Sequence, residues 1–211
     1  MQTINVVLFD NFETLDACGP IEILGSLNNE YRIEYFSLNG GFVTSRQGLQ
    51  TQTQSFAHVE SNGILLIPGG MGTRPLVNDD EFLTQLEILA NKSKDVLTVC
   101  TGSALLAKTG LLNAKSATSN KLAFDWVTSL NPAVNWVLKA RWVVDGNIYT
   151  SSGVSAGMDM ALGYVNDKLG ITVARKTAHD IEYVWNEDPD NDPFAKGDGR
   201  RAKEAAVNTA L

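Results

Sequence analysis

Predominantly apolar runs alternate along this chain with segments whose apolar residues recur at helical spacing. The runs Ile4–Phe9 and Gly63–Ile67 are typical of strands that are covered on both faces of a sheet. Tyr31–Leu38 alternates between apolar and polar positions and predicts a further strand. Glycines at 40–41 and at 48 delimit two more short strands. These segments together predict a sheet whose central strands are buried.

Helical patterns fill the segments between these strands. Asn78 is a candidate N-cap because Glu81 follows it three residues later, as in a capping box. Asp145-Gly146 lies between the strand-like segments Trp136–Val144 and Asn147–Ser151 and predicts an antiparallel hairpin. The predicted helices are Asp16–Leu27, the helix that follows Asn78, the helix that ends at Gly110, Met158–Leu169, and about 173–185.

Alternating strands and helices indicate an α/β fold with a mostly parallel sheet and helices on both faces. One domain over residues 1–195 accounts for the pattern, and residues 196–211 are predicted to form a polar C-terminal tail. Ligands of such folds bind beyond the carboxyl ends of the strands. Three predicted loops leave such ends, at 10–16, 68–72 and 100–103, so we expect them to meet in one site.

A cysteine begins the third of these loops. Cys100 follows the apolar run 96–99, and small residues separate it from the next helical pattern. This order of strand, turn and helix predicts a nucleophile elbow, with the thiol at the N-terminus of the helix. The helix dipole and the unpaired N–H groups at that end lower the pKa of a thiol. The alternative is a buried cysteine that acts as a small hydrophobic residue.

The composition is that of an ordinary soluble globular protein, with 44% hydrophobic and 19% charged residues. Its net charge of −7 argues against a general binder of nucleic acids or of anionic membranes. The N-terminus lacks a signal-peptide pattern, and no apolar run approaches the roughly 20 residues that span a bilayer. Two cysteines do not make a disulfide framework. We therefore expect a cytoplasmic protein.

Motifs at the three loops resemble those of the ThiJ/PfpI superfamily. They are Leu-Asp-Ala-Cys-Gly-Pro at 15–20, Ile-Pro-Gly-Gly at 67–70 and Val-Cys-Thr-Gly-Ser at 99–103. The chain is most similar to the isocyanide hydratase branch and to amidase-like domains of some transcription regulators, through segments at 107–113, 152–159 and 181–194. The resemblance reaches to about residue 195. It implies a flavodoxin-like fold of the class I glutamine amidotransferase type, and a homodimer.

The resemblance also implies a role for each of four residues. Cys100 is then the nucleophile, and Asp16 is the carboxylic acid beside it. Burial and the neighbouring thiolate both raise the pKa of such an acid. The N–H groups of Gly70 and Thr101 bind an anion, and the Thr101 hydroxyl polarises the site. These roles require no metal and no cofactor. Without the resemblance, a helix N-cap is the favoured interpretation of Asp16.

The chain departs from the family pattern at two places. Thr101 stands where proteases and amidotransferases of the superfamily often carry a histidine. Since the chain has only His58 and His179, both interpreted as structural or solvated, we do not expect a Cys–His triad. The run Thr-Ser-Asn-Lys at 118–121 replaces the Thr-Thr-His-Trp run of many hydratases.

Two further side chains near the loops have more than one interpretation. Arg74 follows the glycine-rich loop and is interpreted as a partner in a surface salt bridge, with a substrate carboxylate as the alternative ligand. Cys18 lies two residues after Asp16 and is interpreted as a packed helix residue. The alternative is a resolving cysteine that pairs with Cys100.

Three functions for a small-molecule substrate follow from these residues. The first is hydration of an isocyanide to an N-substituted formamide, because the resemblance extends into 181–194. The second is glyoxalase- or deglycase-type action on a reactive aldehyde, which the departing Asn120 and Lys121 keep open. The third is a ligand-binding or redox-sensing role without catalysis. About fifteen residues follow the matched segment, fewer than a helix-turn-helix domain needs, so no DNA-binding domain is expected.

Overall fold

The computed structural model describes residues 1–195 and shows an α/β fold around one eight-stranded sheet. The predicted C-terminal tail, residues 196–211, lies outside the described residues. In chain order the strands of the described part are β1 (Gln2–Val7), β2 (Tyr31–Ser37), β3 (Asn39–Thr44), β4 (Gln50–Ser55), β5 (Ile64–Ile67), β6 (Asp95–Val99), β7 (Ser116–Ala117), β8 (Asn135–Trp136), β9 (Trp142–Asp145) and β10 (Ile148–Ser151).

The strand order in the sheet is β3-β4-β2-β1-β5-β6-β10-β9. All neighbours from β4 to β10 pair in parallel, and an antiparallel hairpin closes each edge. In the β9–β10 hairpin, Ile148 lies opposite Asp145, and Gly146 takes the positive φ that its tight turn requires. The predicted mostly parallel sheet with a short antiparallel hairpin is confirmed. β7 and β8 form a separate parallel pair.

The helices differ from the prediction mainly at their ends. Asp79 rather than Asn78 caps α3, because its carboxylate accepts the Phe82 N–H at 3.0 Å. α7 ends before the predicted Trp185, and Glu182 just beyond it has a φ of 55°. The described helices are α1 (Thr14–Gly25), α2 (Thr73–Leu76), α3 (Asp80–Lys92), α4 (Gly102–Lys108), α5 (Phe124–Leu130), α6 (Ala156–Leu169) and α7 (Ile171–Asp180), with a 3₁₀ turn at Phe56–His58.

A membrane-crossing helix is not found anywhere in residues 1–195, where every helix is too short or too polar.

The strand order reverses next to β1. The chain moves from β1 through α1 to β2 on one side, and from β5 through α3 to β6 on the other. Right-handed crossovers in opposite directions place α1 and α3 on opposite faces of the sheet. Every residue of β5 and β6 is buried, as expected for strands covered on both faces. Such a reversal opens a crevice at the carboxyl ends of β1, β5 and β6.

Candidate active site

The three predicted loops meet at this crevice. The Glu13 N–H donates to the Gly69 carbonyl at 2.8 Å, and Phe12 forms an isolated bridge with Gly70. The third loop lies against the second so closely that a Cβ on Gly102 would come within 2.3 Å of the Ile67 carbonyl oxygen. Only glycine fits there, so the turn from β6 into α4 depends on Gly102.

Cys100 has the strained backbone of a nucleophile elbow. Its φ is 58°, a left-handed conformation that residues other than glycine rarely adopt. The surrounding backbone holds it there: its N–H lies 3.2 Å and 3.1 Å from the carbonyl oxygens of Ser151 and Ser152. Its carbonyl accepts the hydroxyls of Ser103 and Ser119, each at 3.0 Å. The predicted elbow is therefore present, and the residue is only 6% exposed.

Asp16 lies beside the thiol and does not cap its helix. It is fully buried in the first turn of α1, whose N-cap is Glu13. Its Oδ2 accepts the Gly69 N–H at 3.0 Å, and its carboxyl group hydrogen-bonds the Cys100 side chain. Burial raises the pKa of Asp16 to about 7, against the lowering effect of these two hydrogen bonds. The alternative interpretation of Asp16 as an N-cap is wrong.

The pKa of the Cys100 thiol differs from the sequence prediction. Burial and the negative charge of Asp16 raise its pKa well above the ordinary value, while hydrogen bonds from the Thr101 N–H and the Asn120 side chain lower it by less. The predicted lowering is wrong because desolvation outweighs the donors at this end of the seven-residue α4. Above about pH 7, Cys100 and Asp16 therefore hold one proton between them, and they titrate as a coupled pair.

Gly70 and Thr101 lie together next to this pair. The Gly70 N–H donates to Thr101 Oγ1 at 3.0 Å, and the Thr73 hydroxyl lies 3.1 Å from the same oxygen. The Thr101 N–H is the backbone donor that acts directly on the sulfur. Gly70 is thus connected to the thiol through Thr101, whose hydroxyl accepts the Gly70 N–H and whose own N–H acts on the sulfur. Gly70 has a φ of 124°, and a Cβ at this position would come within 2.4 Å of the Glu13 nitrogen. Glycine is therefore needed there.

Asn120 is a site residue that the motifs did not identify. Its side chain hydrogen-bonds the Cys100 sulfur, and its Oδ1 accepts the Ala123 N–H at 3.0 Å. The amide also packs against Gly153, where a Cβ would come within 2.1 Å of Nδ2. Because Oδ1 is engaged, Nδ2 is the atom that donates to the sulfur. Asn120 is a neutral donor that cannot carry a proton between reactants.

Lys121, which also departs from the hydratase run at 118–121, is not among the groups that shift the pKa of Cys100. Its buried Nζ donates to Thr118 Oγ1 at 2.8 Å and to the Ala140 carbonyl at 2.7 Å, and it lies 3.8 Å from the Asp192 carboxylate. Lys121 therefore ties the Asn120 segment to the C-terminal part of the fold. Lys121 supports the position of Asn120 indirectly, through these contacts.

The remaining candidates lie further from the chemistry. His58 and His179 are exposed, and neither is among the described groups that shift the pKa of Cys100. Cys18 is half-buried and free, and burial raises its pKa. Arg74 stacks on Trp126, with its Cζ 3.4 Å from the ring centroid. This stack, and not a surface ion pair, is the contact that defines the position of the guanidinium.

The family model for the DJ-1/PfpI family matches residues 2–167. This chain belongs to the DJ-1/PfpI family. Isonitrile hydratase from Pseudomonas putida is 32% identical to it over 208 residues, which cover 98% of this chain and 87% of that protein. The HTH-type transcriptional regulator GbdR from Pseudomonas aeruginosa is 29% identical over 175 residues, which cover 80% of this chain and 47% of the regulator.

Solved structures of DJ-1/PfpI proteins have the same architecture. A THiJ/PfpI family protein from Pseudomonas syringae superposes with a TM-score of 0.81 at 28% identity, over 99% of this chain and 86% of that one. DJ-1beta from Drosophila melanogaster superposes with a TM-score of 0.75 at 21% identity, over 87% of this chain and 99% of that one. The latter likeness shows the shared fold. The predicted resemblance and the predicted fold class are confirmed.

Proposed function

We propose that the protein is a cofactor-free enzyme that hydrates an isocyanide to an N-substituted formamide. One observation carries the proposal. The Asp16 carboxyl group hydrogen-bonds the Cys100 thiol in a buried site, where burial raises the pKa of both groups, and Thr101 and Asn120 place neutral donors at the sulfur. The similarity to isonitrile hydratase supports the same reaction class. Cys100 is the proposed nucleophile, Asp16 the proposed acid and base, and Thr101 the proposed anion-binding residue, with its hydroxyl held by the Gly70 N–H.

In the first step the shared proton moves from sulfur to carbon. The Asp16 carboxylate takes the thiol proton while the sulfur attacks the terminal isocyanide carbon, and the protonated Asp16 then delivers that proton to the same carbon. A neutral thioimidate results, in which sulfur is bonded to an R–N=CH group. A carboxyl group with a pKa of about 7 suits both halves of this transfer at neutral pH.

In the second step water releases the product. Water adds its oxygen to the thioimidate carbon, with one proton passing through Asp16 to the nitrogen. The tetrahedral adduct then collapses: the carbon–sulfur bond breaks, the hydroxyl proton returns to the sulfur through Asp16, and the formamide R–NH–CHO leaves. The donors at Thr101 and Asn120 stabilise negative charge on the sulfur as it departs. No amine leaving group needs protonation, so the reaction does not require histidine.

A reactive aldehyde is the second candidate substrate class. The observation that keeps it open is Asn120, which stands in place of the histidine in the run of many hydratases and donates a hydrogen bond to the sulfur. Addition of the thiol to an aldehyde gives a hemithioacetal through the same proton transfer from Cys100 to Asp16. An amide that donates a hydrogen bond suits either adduct.

A substrate panel tests the proposal. Wild type and Cys100→Ser are assayed with p-nitrophenyl isocyanide, methylglyoxal and a peptide ester. We expect formamide from the isocyanide with wild type only, and negligible ester cleavage. Consumption of methylglyoxal alone would assign the aldehyde reaction. Absence of turnover on all three, with tight binding of a metabolite, would contradict the enzyme and favour a sensor.

We further propose a homodimer that works in the cytoplasm, where Cys18 and Cys100 stay as free thiols. The small residues Cys18 and Gly19 of α1 would suit a close contact between protomers, but Gly19 is not free for it. Gly19 is used within the protomer, where a Cβ would come within 2.7 Å of Met158 of α6. Light scattering at micromolar concentration is expected to return about twice the 22.9 kDa chain mass. A mass of one chain would contradict the dimer without affecting the proposed chemistry.

A further inference from the structure

The stack of Arg74 on Trp126 joins two segments that line the cysteine. Arg74 belongs to α2, which begins directly after the glycine-rich loop with Gly70. Trp126 belongs to α5, which begins directly after the Asn120 segment. Burial lowers the pKa of Arg74, and the charge of Cys100 opposes this shift, so the guanidinium lies within electrostatic reach of the sulfur. The stack therefore holds a cation where these two segments meet.

The stack leaves the guanidinium pre-organised for an anion. With one face on the indole ring at 3.4 Å, the group gains cation–π stabilisation while its N–H donors remain in the plane. A planar, half-buried fork of this kind matches a carboxylate, which it binds through two parallel hydrogen bonds. Lys121, the cation of the Asn120 segment, already donates to Thr118 and Ala140. One available guanidinium suits the single charge of a carboxylate better than the double charge of a phosphate.

We propose that Arg74, held by Trp126, binds a carboxylate of the substrate and makes the enzyme selective for small anionic electrophiles. The inference deepens the proposed function, because it rests on Cys100 as the nucleophile and names the substrate class that reaches it. Isocyanoacetate is the simplest member, with its carboxylate one methylene from the isocyanide nitrogen. Its uncharged ester is the matched poor substrate.

The kinetic test compares isocyanoacetate with methyl isocyanoacetate. In wild type we expect kcat/KM to favour the acid. Arg74→Gln removes the charge, and it should raise KM for the acid by about 10- to 100-fold, the value of a hydrogen bond to a charged group, while KM for the ester changes less than about twofold. Arg74→Lys keeps the charge but loses the fork and should retain part of the preference. Arg175→Gln is the control, since Arg175 pairs with Glu187 on the surface.

A binding measurement separates this inference from the proposed function. Calorimetry on Cys100→Ser uses N-formylglycine, the hydration product of isocyanoacetate, and its methyl ester. We expect the acid to bind more tightly and Arg74→Gln to abolish the difference. That result without turnover of either isocyanide would support the carboxylate site and contradict the hydratase. Turnover with equal preference in wild type and Arg74→Gln, or a fall in kcat for both substrates alike, would overturn the carboxylate site and leave the hydratase standing.

Discussion

Two buried carboxylates in this molecule have opposite surroundings. Asp159 on α6 is saturated: its Oδ2 accepts Arg141 Nε at 2.7 Å, and its Oδ1 accepts the Tyr183 hydroxyl and the Asn186 N–H at 3.0 Å each. Asp16 on α1 is equally buried, since both residues are 0% exposed, but within residues 1–195 it forms no ion pair. It holds the Gly69 N–H and the Cys100 side chain, and Oδ1 makes no other hydrogen bond among the described residues.

The difference separates a structural carboxylate from a reactive one. A buried charge that is paired and hydrogen-bonded persists as a fixed ion. Asp159 therefore fastens the segment with Tyr183 and Asn186 to α6. A buried carboxyl group without a cation keeps its proton to higher pH, and the pKa of Asp16 rises to about 7. Such a group can exchange its proton with a neighbour, which is the role that we propose for Asp16 beside Cys100.

The largest expected effect is on the paired carboxylate. Asp159→Asn leaves Arg141 as a buried charge with one ionic partner fewer, and breaking such a pair reduces stability by about 3–5 kcal/mol. The free energy of unfolding, measured with urea at pH 7, checks this value. The activity of the folded fraction should remain, because Asp159 touches neither Cys100 nor Asp16. A variant as stable as wild type would remove the structural half of the comparison.

The unpaired carboxylate should respond in the opposite direction. Its pKa is raised by folding, so ionised Asp16 destabilises the fold, fully above pH 7 and not at all below the unfolded value of 3.8. The difference of about three pH units corresponds to an upper value on the order of 4 kcal/mol. Asp16→Asn is therefore expected to unfold at a higher urea concentration than wild type at pH 8, and at a similar one at pH 4. Equal midpoints at pH 8 would contradict the raised pKa.

The same variant should lose turnover. Asn keeps a side-chain oxygen for the Gly69 N–H but cannot exchange a proton with Cys100, so kcat/KM should fall by about 100-fold or more. In wild type, kcat/KM should rise with pH through an apparent pKa near 7, because Asp16 must be ionised to take the thiol proton. That limb should disappear in Asp16→Asn. A flat wild-type profile between pH 5 and 9 would show that Asp16 is not the base.

The smallest expected effect is the fall in kcat/KM when Asn120 no longer donates to the sulfur. An alanine at Gly153 would bring its Cβ within 2.1 Å of Asn120 Nδ2, which displaces the amide from Cys100. Loss of one hydrogen bond to a charged sulfur predicts a fall in kcat/KM of about 10-fold. Gly25→Ala is the matched control, because its Cβ would meet Ile33 at an ordinary 3.6 Å. Equal activities of the two variants would assign no role to Asn120.

The local parts of this site could be predicted from sequence, and the parts set by distant contacts could not. The elbow at Cys100 is a property of consecutive residues, since an apolar strand runs into a glycine-containing turn. The pKa of its thiol depends on how deeply the whole fold buries it, and the local pattern predicted the wrong direction. Asn120 carries no local signal for a role beside the sulfur, and only the unusual 118–121 run pointed to it. The ionic partner of Asp159 was not predicted for the same reason.

The meeting of distant loops at the site has a consequence for how the protein refolds. Asp16, Gly70, Cys100 and Asn120 come from four segments spread over half of the chain, so no short contiguous fragment contains the site. Each segment reaches it only after a long loop closes, which makes such contacts entropically late. Rapid-mixing experiments should find helical signal first and a shielded Cys100 only when β1 inserts between β2 and β5. The time course of protection of this thiol from alkylation therefore reports the final assembly of the sheet.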